Sequence, residues 1–334
     1  MTCAVCVHAA ARSYRCRSMV ANVTERAAAN PDANTDRFSG FADLYDANRP
    51  TAPEALGPLL VAYAGAPAPR FVDLGSGTGL SSRWAARWAS SVIGIEPNHD
   101  MRAQAASRPT AGVEYRDGTS SSTGLAAASA DVVLAVQAMH WMEPVSTLAE
   151  VARILCPGGV FAVLDADWPP VTGVAGAECA WQTFHRRIRV FEARLSRGET
   201  GDQLRLAIDD NDPALVDEDL RDPHRNRAMP GGVRSWSKSQ HLDRIEQSGH
   251  FAFVREVVFD QPSQGGAERF IELMHSQGSY QGLRRAGLSD DELGATEFER
   301  RARDAYASAD AGVLPPLSFS WRVRLGVTPQ SAAG

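Results

Sequence analysis

One segment of the chain joins a short apolar strand to closely spaced glycines, and it reads Phe71-Val72-Asp73-Leu74-Gly75-Ser76-Gly77-Thr78-Gly79-Leu80. Glycine has no Cβ, so its backbone can turn sharply and come close to a ligand. A helix that starts directly after such a turn offers backbone N–H groups that no helical carbonyl has taken. The segment therefore predicts the nucleotide-binding corner of a doubly wound α/β sheet.

A second apolar strand follows further along the chain and ends in an acid, as Val92-Ile93-Gly94-Ile95-Glu96-Pro97-Asn98. A carboxylate at that strand end can accept hydrogen bonds from both hydroxyls of a ribose. The glycines follow G-x-G-x-G, whereas dinucleotide-binding folds carry G-x-G-x-x-G. Asp73 stands two residues before the first glycine, where it could face a cationic or hydrogen-bond-donating ligand. These features argue against a dinucleotide.

Together the glycine loop and the strand-end acid resemble the class I S-adenosylmethionine-dependent methyltransferases. The resemblance implies an α/β fold, Rossmann-like, with a doubly wound and mostly parallel seven-stranded sheet and a helical cap insertion. It also implies S-adenosyl-L-methionine as the cofactor. The cofactor contacts that it implies are Asp73, Gly75, Ser76, Gly77, Gly79, Glu96, Pro97, Asp117, Gly118, Gln137, Tyr45 and Arg49.

The third strand and the N-terminal entry segment contribute four of these residues. In the family, an acid at the position of Asp117 accepts the adenine amino group and Gly118 lies beside the ring; the alternative is an ordinary Asp-Gly turn. The residues from 36 to 50 resemble the entry segment of small-molecule methyltransferases, which folds over the cofactor. Tyr45 and Arg49 could touch the methionine end or the substrate, or simply pack this segment onto the sheet.

The bulk composition narrows the class of protein. With 334 residues, 44% of them hydrophobic, the chain can bury a sizeable core. Its formal net charge of −6 gives no electrostatic reason to expect nucleic acid as a partner. The sequence has no apolar run long enough to span a bilayer, and its five cysteines form no evenly spaced framework. We therefore expect a cytoplasmic protein that binds neither nucleic acid nor a membrane. A small-molecule substrate is what the methyltransferase resemblance implies, and the oligomeric state, monomer or homodimer, stays open.

The chain divides into four parts on composition and hydrophobic pattern. Residues 1–35 lack sustained periodicity and are expected to be a disordered leader. Residues 36–168 form the predicted cofactor-binding core, and 169–235 a helical cap insertion. Residues 236–328 supply the remainder of the core with a second helical cap segment at about 265–311.

Periodicity and turn residues place the elements within these parts. The expected strands are 70–74, 92–96, 113–118, 131–136, 160–164, 253–259 and 317–325. The expected helices include 52–64, 78–90, 98–107, 144–155, 181–197 and 237–249. A Cys156-Pro157-Gly158-Gly159 break is expected to separate the fourth helix of this set from the fifth strand.

The end of the fourth strand has the most distinctive side chains, Val136-Gln137-Ala138-Met139-His140-Trp141-Met142. The Asn/Asp-Pro-Pro-Tyr/Phe pattern of enzymes that methylate amide and nucleobase nitrogens is absent here. The His-Trp pair instead resembles the trans-aconitate and juvenile-hormone-acid methyltransferases, which methylate carboxylates of small molecules. The resemblance implies that His140 and Trp141 are catalytic and substrate-binding residues.

Two roles for the pair remain open alongside simple packing under the cap. Ring N–H groups of His140 and Trp141 could orient a carboxylate, which needs only desolvation and alignment with the methyl donor. His140 could instead act as a base for a hydroxyl, phenol or acidic carbon. Weaker substrate-binding candidates are Trp168, His275 and Tyr280.

Asp165 and Asp167 follow the fifth strand, where a pair of carboxylates could ligate a metal. No third ligand is evident in the sequence, so we expect solvated loop acids and no metal.

The sequence thus predicts methyl transfer from S-adenosyl-L-methionine to a small organic acceptor, on oxygen of a carboxylate or hydroxyl and in natural-product biosynthesis. The alternatives are methylation at carbon or nitrogen, a non-catalytic cofactor-binding module, and an NAD-dependent dehydrogenase.

Overall fold

The computed structural model describes residues 49–196, 198–199, 202–203, 227–228, 234–309 and 317–330. The expected disordered leader at 1–35 and the entry-segment residue Tyr45 lie outside the described residues. Much of the second half of the expected cap insertion, including 204–226, also lies outside them.

The elements follow the chain in an alternating order up to the fifth strand. They are α1 (Leu56–Ala64), β1 (Arg70–Leu74), α2 (Leu80–Ala85), β2 (Ser91–Ile95), α3 (His99–Ala106), β3 (Val113–Arg116), β4 (Ala130–Val136), α4 (Pro144–Ile154) and β5 (Leu155–Ala166). The later elements are α5 (Ala175–Ser196), β6 (Arg227–Ala228), β7 (Arg234–Ser235), α6 (His241–Gln247), β8 (Phe253–Ser263), α7 (Ala267–His275), α8 (Gly278–Arg285), α9 (Asp290–Leu293), α10 (Ala295–Ser308) and β9 (Leu317–Val327). Short 3₁₀ helices lie at Met139–Trp141 and Lys238–Gln240.

Seven of the strands form one mixed sheet with the order β3-β2-β1-β4-β5-β9-β8. The first five in this order run parallel to their neighbours, and β9 is antiparallel to both β5 and β8. The expected doubly wound, mostly parallel sheet is therefore confirmed. The chain order reverses between β1 and β4, and such a switch point forms a crevice beyond the carboxyl ends of the strands.

Apolar side chains cover both faces of this sheet. Along β4, Val132 and Leu134 pack into one buried cluster, while Val133 and Ala135 pack into the other. Successive side chains of a strand point to opposite faces, so a strand buried on both faces needs an unbroken apolar run. All four residues are fully buried.

The cap is built from α5 and the helices between β8 and β9. Helix α5 packs on α10 and brings the ring of Phe184 onto Phe298, with 5.2 Å between ring centroids. Phe184 also meets Tyr280 edge-on at 5.8 Å. These rings join the same cluster that covers one face of the sheet, so the cap shares the core rather than forming a separate one.

Several element boundaries differ from the sequence expectation, and the hydrogen bonds explain two of the differences. The helix expected at 78–90 ends at Ala85, because the next N–H groups bond three residues back, from Arg87 to Trp84 and from Trp88 to Ala85. The expected Cys156–Gly159 break lies inside β5, which begins at Leu155: Leu155 pairs with Ala130 and Val160 with Val132, so the pairing with β4 shifts register across these residues. Gly159 accepts a hydrogen bond from the Thr328 N–H, which continues the pairing with the chain after β9.

Among the described helices, none combines the length and the apolar content that crossing a membrane requires.

Candidate functional site

A cleft of about 1060 Å³, part of which is open to solvent, lies beyond the carboxyl ends of β1, β2 and β4. The residues expected from the sequence that line it are Arg49, Gly75, Ser76, Gly77, Glu96, Pro97, Gln137 and Trp141. The structure thus brings together residues from the glycine loop and from the ends of β2 and β4.

The glycine loop lies tightly between β2 and the segment after β4. The N–H groups of Gly75 and Ser76 both donate to the Ile95 carbonyl, at 2.8 and 3.2 Å. Gly75 has a φ of +66°, and a Cβ added there would come within 2.9 Å of the Ala138 and Met142 side chains. Glycine is therefore required at this position by both backbone conformation and space.

Gly79 serves a different purpose from the other two glycines. It has a φ of +80° and immediately precedes α2, and a Cβ there would overlap the Tyr115 ring. Gly79 does not line the cleft. Its role is to let the loop pack against β3.

Glu96 presents a buried carboxylate to the wall of the cleft. One carboxylate oxygen accepts the Gly77 N–H at 2.9 Å and the other accepts the Asn98 N–H at 2.8 Å. Burial raises the pKa of Glu96, and the two backbone N–H groups oppose that shift. The carboxylate retains lone pairs, because each oxygen can accept more than one hydrogen bond.

Asp73 does not face the cleft, contrary to the expectation that it meets a ligand. Its side chain is fully buried, and one carboxylate oxygen accepts the hydroxyls of Ser81 and Ser82 at 2.6 Å each. Burial raises the pKa of Asp73 to about 6. Asp73 therefore braces the start of α2 behind the loop.

Asp117 and Gly118 also lie outside the cleft lining. The Asp117 side chain is 76% exposed and pairs with Arg102 at 3.0 Å. The chain turns back on itself through reciprocal backbone hydrogen bonds between Thr119 and Ser122. The turn brings Ser120 to the cleft, a residue that sequence reasoning missed because a Ser/Thr-rich loop carries no periodic signal.

Gln137 follows β4 in a conformation that is uncommon for a residue with a side chain. Its φ is +53°, and its backbone N–H donates to the Leu164 carbonyl at 2.8 Å. Its amide oxygen accepts a hydrogen bond from the Lys238 ammonium at 2.6 Å. Strained residues of this kind concentrate at ligand sites.

The His-Trp pair occupies the 3₁₀ helix at Met139–Trp141. Trp141 lines the cleft, whereas His140 lies behind it with ring centroids 4.6 Å apart. The His140 carbonyl accepts the Trp236 N–H at 2.9 Å, which ties the pair to the chain after β7. Trp141 is thus the member of the pair that can touch a ligand.

Asp165 is buried, so the expectation that it is a solvated loop acid is wrong. The Lys238 ammonium lies 3.1 Å from one carboxylate oxygen, and the Arg324 guanidinium lies 2.9 Å from the other. Nδ1 of His140 and Nε2 of His241 each lie 3.8 Å from the carboxylate. Burial opposes ionisation, but these neighbours lower the pKa of Asp165 to about 2.

The sequence could not reveal this environment, because Lys238, His241 and Arg324 lie more than 70 positions away from Asp165. Asp167, by contrast, is 43% exposed and pairs with Arg322 at 3.0 Å, much as a loop acid should.

His140, Asp165 and His241 could offer three metal-ligand atoms within 4.8 Å of one another. Both carboxylate oxygens already face cations, Lys238 and Arg324. A divalent ion would have to displace them or withstand their repulsion, so this arrangement disfavours a metal.

The three weaker substrate candidates lie outside the cleft lining. Trp168 packs edge-on against Phe319 at 5.8 Å, and the Arg49 guanidinium lies 5.2 Å from its ring centroid. His275 stacks on Tyr280 at 5.4 Å. These contacts are those of packing residues beneath the cap.

Tyr280 is held in the cap core. Its hydroxyl donates to Asp290 at 2.5 Å, and its side chain is 1% exposed. Burial raises the pKa of Tyr280, and the hydrogen bond to Asp290 adds to the shift. His275 also contacts Glu299, with 3.0 Å between Nε2 and the carboxylate.

Residues 72–163 match a family model described as a methyltransferase domain. An uncharacterized methyltransferase of Mycobacterium tuberculosis is 37% identical over 126 residues, which are 36% of this chain and 49% of that protein. A dimethylglycine N-methyltransferase of Parasynechococcus marenigrum is 34% identical over 101 residues, which are 28% of this chain and 36% of that protein. The chain thus spans about half the length of the first of these relatives.

One solved structure supports the fold across most of the chain. It is named for a methyltransferase from an antibiotic biosynthesis pathway of Anabaena variabilis. The two share 15% identity with a TM-score of 0.51, over 81% of this chain and 96% of that one. At this identity the likeness concerns the fold alone. The segment that matches the methyltransferase-domain model, residues 72–163, contains the glycine loop and the ends of β2 and β4.

Proposed function

We propose that the protein is an S-adenosylmethionine-dependent methyltransferase that acts on oxygen of a small organic acceptor, in biosynthesis. The observation that carries this proposal is the buried Glu96 carboxylate, which lines the same cleft as the glycine loop and accepts its Gly77 N–H. A carboxylate so placed suits the hydroxyls of a ribose. The methyltransferase domain match over 72–163 supports the same assignment.

The residues of the cleft fit this cofactor. Gly75 and Gly77 keep the loop open to close approach, because neither carries a Cβ. Pro97 and Met101 give an apolar wall beside Glu96, suited to an adenine ring. S-adenosylmethionine supplies an electrophilic methyl group when bound.

The acceptor end would lie on the other side of β1, at the residues after β4. Val136, Ala138 and Met142 line the cleft there and give it an apolar wall. The Trp141 indole N–H can donate a hydrogen bond to an acceptor oxygen. Catalysis would then consist of desolvating the nucleophile and holding it in line with the methyl group.

The charges of the cleft favour a carboxylate as the acceptor. Arg49 and Glu96 are the charged residues among the described residues that line it. Arg49 is a cation and Glu96 is assigned to the ribose, so neither is available to deprotonate a neutral acceptor. His140 lies behind Trp141, where it supports the indole rather than reaching the cleft. A carboxylate fits because it is already a nucleophile at neutral pH.

A nitrogen acceptor is the second candidate. Its support is the similarity to a dimethylglycine N-methyltransferase, which covers 28% of this chain. An ammonium group would have to lose a proton before transfer, so this reaction would need a base at the cleft.

Isothermal titration of the folded protein with S-adenosylmethionine and with S-adenosylhomocysteine tests the proposal. We expect both compounds to bind, and mass spectrometry to find one added methyl group on a carboxylate or hydroxyl compound. Absence of binding by a folded sample contradicts the proposal. Transfer to amines alone favours the second candidate.

A further inference from the structure

We propose that the Lys238–Asp165 pair orients the Gln137 amide so that its NH₂ group serves the acceptor end of the cleft. The cleft then selects acceptors that offer a hydrogen-bond-accepting oxygen and rejects ammonium groups. This inference rests on the proposed function and deepens it, because it names the residues that recognise the acceptor.

The amide oxygen of Gln137 is the atom that faces Lys238. The Lys238 ammonium lies 2.6 Å from the amide oxygen of Gln137. A lysine ammonium has three donors and no acceptor, so the amide must turn its oxygen towards it. The NH₂ group is thereby directed away from Lys238. One of its two hydrogens faces the Ala166 carbonyl at 3.5 Å, which leaves the other for a ligand in the cleft.

Asp165 holds Lys238 in place. The two side chains lie 3.1 Å apart, and the Asp165 carboxylate is 3% exposed. Removal of Lys238 from this position would leave a buried carboxylate with less compensation, which is strongly unfavourable. Arg324 occupies the other carboxylate oxygen at 2.9 Å, so the orientation of the carboxylate is also determined.

Gln137 lines the cleft on the side of β4. It follows β4, which lies on one side of β1, whereas Glu96 follows β2 on the other side. β1 therefore separates Gln137 from Glu96, the residue assigned to the ribose, and we assign Gln137 to the acceptor rather than to the cofactor. Its φ of +53° and its bond to the Leu164 carbonyl hold the backbone in one conformation.

The chemistry that follows is selective. An amide NH₂ group donates to a carboxylate, phenolate or hydroxyl oxygen. An ammonium acceptor would present donors to a donor and would also meet Arg49, the cation that lines the cleft. Gln137 is thus a binding residue, and Lys238 and Asp165 are positioning residues that act through it.

The test uses benzoate and benzylamine as probes, because they share a ring and differ in the charge of the polar group. Their binding to the full chain saturated with S-adenosylhomocysteine is measured by ligand-observed NMR. The variants are Gln137→Glu, Lys238→Met and Lys238→Arg, with Asp167→Asn as the matched control. Asp167 also pairs with an arginine of β9, but it lies outside the cleft lining.

We expect wild-type protein and Asp167→Asn to bind benzoate about tenfold more tightly than benzylamine, as one charge-assisted hydrogen bond allows. Gln137→Glu should reverse this preference, Lys238→Met should reduce it about threefold or more, and Lys238→Arg should restore it. A benzoate affinity no higher than that of benzylamine, including no binding, overturns the inference. So does an unchanged preference in Gln137→Glu. Titration with S-adenosylhomocysteine separates the two proposals, since a failure of this compound to bind contradicts the proposed function itself, whereas a lost benzoate preference with this compound bound contradicts only the inference about Gln137.

Discussion

Glu96 and Asp117 are carboxylates that follow neighbouring strands, yet their surroundings are opposite. Glu96 is 8% exposed and bonded to the glycine loop, whereas the Asp117 side chain is 76% exposed and paired with Arg102. A hydrogen bond to a buried carboxylate contributes more than one at the surface, because water competes less for it. Of the two acids, Glu96 should therefore contribute to cofactor affinity.

The variants Glu96→Gln and Asp117→Asn should differ in their affinity for S-adenosylhomocysteine. The first change removes the charge and replaces one acceptor oxygen by a donor, so we expect the Kd for S-adenosylhomocysteine to rise about tenfold or more. The second should change that Kd less than about threefold. Isothermal titration measures both, and circular dichroism checks that each variant is folded. Equal losses in the two variants would refute this assignment.

The sequence located single residues well where the backbone itself carries the signal. Gly75 and Glu96 are recognisable because a tight turn needs glycine and because the acid ends an apolar strand. The prediction that Asp165 is a solvated loop acid is wrong, because the cations that surround its buried carboxylate come from distant parts of the chain. Asp117 was placed at the adenine by its rank in the order of motifs, but the turn after it directs Ser120 to the cleft instead.

Among the elements, the loop between β1 and α2 is the most constrained. At Gly75 a side chain meets two obstacles, a positive φ and the side chains of Ala138 and Met142 at 2.9 Å. Gly65, which ends α1, has a φ of +62° but nothing within 4 Å of an added Cβ. The two glycines therefore separate backbone strain from crowding.

We predict that Gly65→Ala lowers the free energy of unfolding by about 1 kcal/mol, because alanine is strained at positive φ. Gly75→Ala should cost about 1–3 kcal/mol more, since the new methyl group displaces packed neighbours. Urea denaturation at pH 7 measures both values. Equal losses would mean that the loop relaxes freely, and the tight fit described here would be wrong.

Element boundaries were less accessible to sequence reasoning than element identity. The Pro-Gly-Gly at 157–159 predicts an interruption, and it is seen as a register shift in the pairing of β5 with β4, although β5 itself extends from Leu155. The strand continues because the chain after β9 pairs with it, through the Thr328 N–H and the Gly159 carbonyl. A partner so distant in sequence leaves no trace in the local pattern.

For the molecule as a whole, buried titratable groups connect stability to pH. His241 is fully buried, and burial lowers its pKa to about 4; Arg244, Arg324 and Lys238 add to the shift, and Asp165 opposes it. An unfolded histidine takes up its proton near pH 6.5. The folded-state pKa is therefore the lower one, and the stability from neutral His241 is lost as pH falls from about 6.5 to 4.

The prediction concerns His241→Gln, which removes this titration. Between pH 7 and pH 5 the free energy of unfolding should fall by about 2 kcal/mol less in the variant than in the wild type. One group that is protonated only in the unfolded state lowers the stability by about 1.36 kcal/mol for each pH unit below about 6.5. Urea unfolding at the two pH values measures the difference. The control is His99→Gln, whose side chain is 83% exposed and which should follow the wild type. Parallel curves for His241→Gln and the wild type would contradict the prediction.

Asp73 contributes with the opposite sign. Its folded-state pKa of about 6 lies above the unfolded value, so its contribution to stability grows as pH falls from about 6 to 4. Asp73 thus offsets part of the loss from His241, whereas His185, whose pKa burial also lowers to about 4, adds to that loss. The comparison between variants removes the contribution of Asp73, because it is common to both.

The alternation of strands and helices up to β5 made the overall fold predictable, because a parallel sheet with covering helices is the usual arrangement for that pattern. The strand pattern does not predict that β9 lies between β5 and β8, because antiparallel partners so far apart in sequence share no local signal. The cap was recognised as helical, but its packing on the sheet through Phe184 and Phe298 depends on tertiary contacts.

The position of β9 also bears on how the chain is made. During synthesis, β8 leaves the ribosome well before β9, because residues 264–316 lie between them. Until β9 emerges, β5 and β8 both expose unpaired backbone groups, and open strand edges of this kind promote association between nascent chains. A translation stall before residue 317 would therefore yield an aggregation-prone chain. Synthesis of the intact protein should benefit from a chaperone that shields these strand edges.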